Sequence, residues 1–172
     1  MSLADRLGSA SEARWLSRFA PPDRLDELVA RRLAGEPLQY VLGSWVFRTL
    51  ELTVDRRALI PRPETEQVVE AALARLGDRP HPVVVDLGTG SGAVALSMAA
   101  ERPGAEVWAT DADAAALELA AANRERTGVA ATLCRGDWYG ALPARLRGRV
   151  DLVVSNPPYV SEAEWPALDA EV

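Results

Sequence analysis

The chain has 172 residues, 48% of them hydrophobic, which suffices for one packed domain with a small companion. Its formal charge of -6 comes from 25 acidic residues against 19 basic ones, all of them Arg: 9 Arg against 8 acids up to residue 60, then 10 Arg against 17 acids. That balance disfavours tight non-specific binding to a phosphate backbone. A single Cys and a single His exclude a disulfide, a Cys/His zinc cluster and an ordinary Ser-His or Cys-His triad, so no metal is expected.

The first residues are charged from Asp5 onward and hold no apolar run suited to a signal peptide or membrane span, which gives a cytoplasmic location as the expectation. Residues 23–33 place Leu25, Leu28, Val29 and Leu33 on one helical face, ended by Gly35 and Pro37. Residues 45–54 alternate, with Leu50, Leu52 and Val54 on one side, and predict a β-hairpin. Pro61 and Pro63 keep residues 58–63 extended. Thr65 is then expected to cap a helix carrying Val68, Val69, Ala72, Leu73 and Leu76 inward and ending at Gly77. Beyond a linker at 78–82, strands at 83–85, 106–110, 131–134 and 150–154 alternate with helices at 92–100 and 114–127. That pattern means an α/β fold with a parallel sheet covered on both faces.

Two segments in that frame carry chemistry. Asp86-Leu87-Gly88-Thr89-Gly90-Ser91-Gly92 follows the first parallel strand and opens a helix, where such sheets bind nucleotide-like ligands. The spacing D-x-G-x-G-x-G differs from the dinucleotide G-x-G-x-x-G, since Ala93 stands at the third glycine's place. A carboxylate at Asp86 would repel a diphosphate and suits an ammonium, which points to S-adenosyl-L-methionine over NAD. Asp111 closes the second strand and can accept both ribose hydroxyls. Asp137 can take the adenine amino group, and Trp138 can offer an apolar face to the ring, although a lone Trp is more often core. The fourth strand ends in Ser155-Asn156-Pro157-Pro158-Tyr159. The Asn156 side-chain oxygen and the Pro157 carbonyl can accept both N–H bonds of one planar NH2 group, with Pro158 stiffening the loop and Tyr159 as a wall. Amides and the exocyclic amines of nucleobases fit equally well.

With Gly35-Glu36-Pro37-Leu38-Gln39-Tyr40-Val41-Leu42-Gly43, Phe47, Leu59-Ile60-Pro61-Arg62-Pro63-Glu64-Thr65-Glu66, Asp86 to Gly92 and Asn156 to Tyr159 in order, the sequence resembles the HemK/PrmC family of protein-(glutamine-N5) methyltransferases. The resemblance runs from about Arg31 to the last residue, and its upstream segments are more specific than the catalytic ones. It implies a class I, Rossmann-like sheet that uses S-adenosyl-L-methionine, releases S-adenosylhomocysteine and acts on the Gly-Gly-Gln loop of a peptide chain release factor. Gly88, Thr89, Gly90, Ser91, Gly92, Asp111, Trp138 and Asn156 would contact the cofactor, and Asn156 to Tyr159 would hold the glutamine. The Pro-Arg-Pro-Glu-Thr-Glu segment would shape the cofactor entrance, with no chemistry assigned to its residues.

The expected domains are a shortened helical segment at 1–43, a hairpin linker at 44–60 and a methyltransferase domain at 61–172. The last lacks three strands that the family adds, so the expectation is a C-terminally truncated sheet with an unpaired edge, weak cofactor binding and little turnover. The alternatives are a DNA or RNA amino-methyltransferase, a relative acting on another protein, and an inactive fragment kept as a binding module. Sequence leaves the oligomeric state open.

Overall fold

The computed structural model describes residues 2–157. Pro158 and Tyr159, both singled out above, lie outside the described residues together with 160–172. The described chain divides into two compact units, which part after Ser44.

In the first unit Ser2 accepts the Asp5 amide at 3.1 Å while the Asp5 carboxylate takes the Ser2 amide at 2.8 Å, a reciprocal cap that starts α1 (Leu3–Leu7). Ser9 caps α2 (Ala10–Phe19) in a similar way, accepting from the Glu12 amide. A 3-10 turn at Pro22–Arg24 leads into α3 (Leu25–Leu33), and α4 (Leu38–Leu42) stops at Gly43 with φ 73°. Leu16, Leu28, Val29, Leu38 and Val41 form the core of this unit. Sequence periodicity predicted only α3, because α1 and α4 have five residues each and α2 buries only Ala13 and Leu16. Leu33, expected on the buried face, is exposed: it is the last residue of α3 and lies beyond the reach of that core.

The second unit begins with the hairpin, β1 (Ser44–Phe47) and β2 (Leu50–Thr53), turning at Arg48 with φ 51°. Phe47 and Leu52 are fully buried in the main core, so the hairpin belongs to the sheet unit and is no mere linker. Helix α5 (Pro63–Leu76) starts earlier than predicted. Arg62 is its N-cap residue and Pro63, which has no amide hydrogen to leave unpaired, takes the first helical position. Thr65 therefore caps nothing; it heads the buried stripe Thr65, Val69, Ala72, Leu76.

The remaining elements are β3 (Val83–Leu87), α6 (Ala93–Glu101), β4 (Glu106–Asp111), α7 (Ala114–Thr127), β5 (Thr132–Arg135) and β6 (Leu152–Ser155). The four strands are parallel, in the order β5-β4-β3-β6. Chain order thus reverses between β3 and β6, the Rossmann-like switch point. Alternation along the strands sends Val84, Val107, Ala109 and Val154 to one face, under α5 and α6. Val83, Val85, Leu87 and Trp108 point to the other face.

Both faces of the sheet are covered, but α-helical cover lies on one of them among the described residues. Both crossovers, β3 to β4 and β4 to β5, step in the same direction, and equal handedness then lays α6 and α7 side by side on one face. The opposite face is covered by Leu142, Leu146 and Val150 from the segment after β5, and Val153 stays 40% exposed. Within the described residues β6 pairs only with β3. It starts two residues later than predicted, because Asp151 serves to anchor its entrance: its amide donates to the Val83 carbonyl at 2.9 Å and its carboxylate accepts the Val83 amide at 2.8 Å. No described helix is long and apolar enough to cross a membrane.

Candidate functional site

The glycine turn leaves β3 and enters α6 through three left-handed residues, Gly88, Gly90 and Gly92, with φ of 71°, 55° and 83°. A side chain at each would be strained, so the spacing of the glycines is the spacing of the turn's reversals. The Gly88 and Thr89 amides both donate to the Thr110 carbonyl at 2.9 Å, and the Gly92 amide donates to the Thr89 carbonyl at 2.9 Å. Asp111, at the end of β4, accepts the Gly90 amide on Oδ2 at 2.9 Å and the Asp113 amide on Oδ1 at 3.0 Å. Asp113, rather than Asp111, caps α7. The Asp111 carboxylate is thereby fixed beside the turn.

Asp86 lies under the turn and is 1% exposed. Its Oδ2 accepts the Thr89 hydroxyl at 2.6 Å and the Ala95 amide at 3.2 Å. Burial pushes its carboxyl up to about 6, and the nearby Asp111 charge adds to the rise, while the Thr89 and Ala95 donors work in the opposite direction. Among the described residues no cation pairs with this buried acid, and a ligand bearing an ammonium group would supply one. Past β5, Asp137 is the N-cap residue of the 3-10 turn Trp138–Ala141. Trp138 is 51% exposed, with φ 43°, so it is no core residue: its ring stands at the surface on a backbone conformation unfavourable for a bulky side chain.

Asn156 follows β6 directly. Ser155 is level with Leu87 in the register, and its hydroxyl donates to the Leu87 carbonyl at 2.8 Å. Asn156 and Gly88 therefore leave adjacent parallel strands at the same height, one strand spacing apart at the switch point. The Asn156 Nδ2 donates to the Thr65 hydroxyl oxygen at 3.0 Å, so the acceptor end of this amide is Oδ1. Pro157 is half-buried beside it.

Two residues shape this region in ways that sequence reasoning did not assign: Thr65, read there as a helix cap, and Asn123, not singled out at all. Thr65 has just been described. Asn123, fully buried on α7, accepts the Thr53 amide at 2.7 Å and donates to the Thr53 and Ser91 carbonyls at 3.0 and 2.9 Å, lacing hairpin, glycine turn and helix together. A signal for it existed: Ala116, Leu119, Ala120 and Asn123 form the buried stripe of α7, and a lone Asn on such a stripe needs partners.

Residues 67–168, more than half of the chain, match the family model of the methyltransferase small domain, and residues 20–43 match that of the PrmC N-terminal domain. Among relatives, a release factor glutamine methyltransferase from Bordetella pertussis is 48% identical over 160 residues, covering 93% of this chain and 55% of the relative. One of the same name from Nitratidesulfovibrio vulgaris is 48% identical over 175 residues, covering 95% and 58%. The chain spans about half the length of the curated relatives it matches. Among solved structures, a 16S rRNA methyltransferase from T. thermophilus, in complex with AdoMet and guanosine, is 28% identical with a TM-score of 0.56, over 69% of this chain and 33% of that one. A methyltransferase from Pyrococcus furiosus, 21% identical with a TM-score of 0.52 over 80% and 62%, shares the fold.

Proposed function

Since the chain belongs to the methyltransferase small domain family, we propose that it carries the cofactor-binding and amide-holding parts of a protein-(glutamine-N5) methyltransferase. The methyl donor is S-adenosyl-L-methionine, the product S-adenosylhomocysteine, and the acceptor the Gly-Gly-Gln loop of a peptide chain release factor. The observation that carries this reading is the pairing at the switch point of the glycine turn with Asn156, at the ends of adjacent strands. The name shared by the relatives and the match of residues 20–43 support the choice of a release factor.

The donor set fits that cofactor. Asp86, buried and short of a cation, suits its ammonium; Asp111 suits the ribose hydroxyls; Asp137 and the exposed Trp138 ring suit the adenine. Gly88, Gly90 and Gly92 bring main chain close to it without side-chain bulk, and Thr89 and Ser91 between them are buried, the Thr89 hydroxyl on Asp86. When bound, the cofactor supplies an electrophilic methyl on a sulfonium. The protein's task is then positional, because an amide nitrogen shares its lone pair with the carbonyl and attacks poorly. Asn156 Oδ1 and the Pro157 carbonyl take one N–H each, holding the nitrogen in line and stabilising the positive charge that grows on it. Pro158 and Tyr159 lie outside the described residues; on this reading the first would stiffen the loop and the second would wall the target amide. The reading includes a cytoplasmic location and no stable association with nucleic acid, membrane or metal.

Incubation of the chain with isotope-labelled cofactor, a release factor and ribosomal RNA tests it, with mass spectrometry to locate the label. Label on the glutamine side chain is expected. A base amine is the second reading, favoured by the neighbour solved with guanosine, and label confined to RNA would establish it in place of the first.

A further inference from the structure

The Pro-Arg-Pro-Glu-Thr-Glu segment finds a use in the structure. Pro63 at the first helical position sets the phase of α5, and that phase turns Thr65 inward, at the head of the buried stripe Thr65, Val69, Ala72, Leu76. Glu66, one residue on, faces the hairpin: its carboxylate accepts the Arg48 amide at 3.1 Å and its carbonyl accepts Arg48 Nη1 at 3.2 Å. Arg48 in turn forms an ion pair with Glu101 at the end of α6. The first turn of α5 is thus held between hairpin and α6, and Thr65, 7% exposed, meets the Asn156 amide across a sequence separation of 91 residues.

We propose that Thr65 is a positioning residue for methyl transfer: its hydroxyl takes the NH2 end of Asn156 and so keeps Oδ1 turned toward the acceptor nitrogen. The inference rests on the reading of Asn156 given above and adds a residue to it. An Asn side chain has an acceptor end and a donor end of nearly equal shape, and only the acceptor end can hold a substrate N–H. Reversed, two NH2 groups would confront each other. A partner that engages the NH2 end also immobilises the amide plane before substrate arrives, and this kind of alignment governs the rate of a positional catalyst: displacement by about 1 Å costs on the order of a hundredfold. A hydroxyl suits the position because it is neutral and short, and the stripe below it needs no charge.

Thr65→Val keeps the shape and removes the hydroxyl; Thr65→Ser restores it. On the proposal, Thr65→Val lowers kcat roughly tenfold or more while KM for the cofactor stays within about twofold, and Thr65→Ser returns kcat to within about threefold of the parent. A role in folding alone would move the melting temperature and leave kcat of the folded fraction unchanged. A second readout needs no turnover: in nitrogen-15 spectra the Asn156 side-chain NH2 pair, identified by its loss in Asn156→Ser, exchanges slowly with solvent in the parent and faster in Thr65→Val. Equal kcat in parent and Thr65→Val overturns the proposal. If the parent methylates no glutamine, the functional reading fails instead, and the NH2 exchange by itself decides whether Thr65 holds Asn156: unchanged exchange on removing the hydroxyl overturns the contact.

Discussion

Asp86 holds its proton to about pH 6 in the folded chain, against 3.8 for the free carboxyl, chiefly because burial penalises its charge. The folded form therefore binds more protons than the unfolded form between those values. The stabilisation is complete below 3.8 and is lost as pH rises through 6, up to roughly 3 kcal/mol. Asp86→Asn abolishes this titration, so its stability relative to the parent should improve from pH 4 to pH 7.5, as read by thermal melts of both proteins across that range. A bound ammonium reverses the balance by favouring the carboxylate. Cofactor affinity should accordingly fall about tenfold from pH 7.5 to pH 5, where only about a tenth of Asp86 is ionised; calorimetry at both pH values checks this, and a flat profile would remove Asp86 from the cofactor's partners. Gly92 is constrained twice: its φ is 83°, and a Cβ would come within 3.2 Å of Leu96 Cδ1 and 3.3 Å of Ala120 Cβ. Gly92→Ala should cost roughly 2 kcal/mol of stability, measured by urea titration, and should weaken cofactor binding by shifting the turn.

Elements hold the site through a few long-range polar ties. Asn123 fastens α7 to Thr53 of β2 and to Ser91 of the glycine turn by three hydrogen bonds in a fully buried setting. Removing it leaves three backbone groups to find new partners, so Asn123→Ala should lower stability by about 2–4 kcal/mol. Its signature should be local, with faster hydrogen exchange at the Thr53 amide than at β4 amides such as Ala109. Equal acceleration at both would mean that Asn123 supports the whole fold rather than the hairpin's attachment. The first turn of α5 is anchored in a comparable way by Arg48, Glu66 and Glu101, which is why a hairpin distant in sequence bears on Thr65.

At the scale of the molecule, the two units have separate cores, one built on Leu16, Leu28 and Val29 and the other on the sheet. A chain beginning at residue 45 should therefore fold alone and keep the parent's cofactor affinity within about threefold, as circular dichroism and calorimetry would show; loss of folding would tie the cofactor unit to the helices before it. Much of the fold was legible beforehand: β-branched runs against helical periods marked the parallel strands, and the glycine spacing marked the reversals at Gly88, Gly90 and Gly92. Short capped helices such as α1 escaped, because five residues are too few for a period. The start of α5 was misread at Thr65, because Pro63 and a threonine are both credible first signals and only packing chooses between them. That α6 and α7 share one sheet face and leave the other to Leu142, Leu146 and Val150 followed from the direction of two crossovers, which no local pattern records. Sequence by itself determined the reversals at Gly88, Gly90 and Gly92 and the burial of Val69, Ala72 and Leu76 along α5, since these depend on neighbours a few positions away. Tertiary structure alone decided that Thr65 meets Asn156 and that Asn123 meets Ser91 and Thr53: hydrogen bonds between residues dozens of positions apart depend on where packed elements end, and the chain does not spell that out.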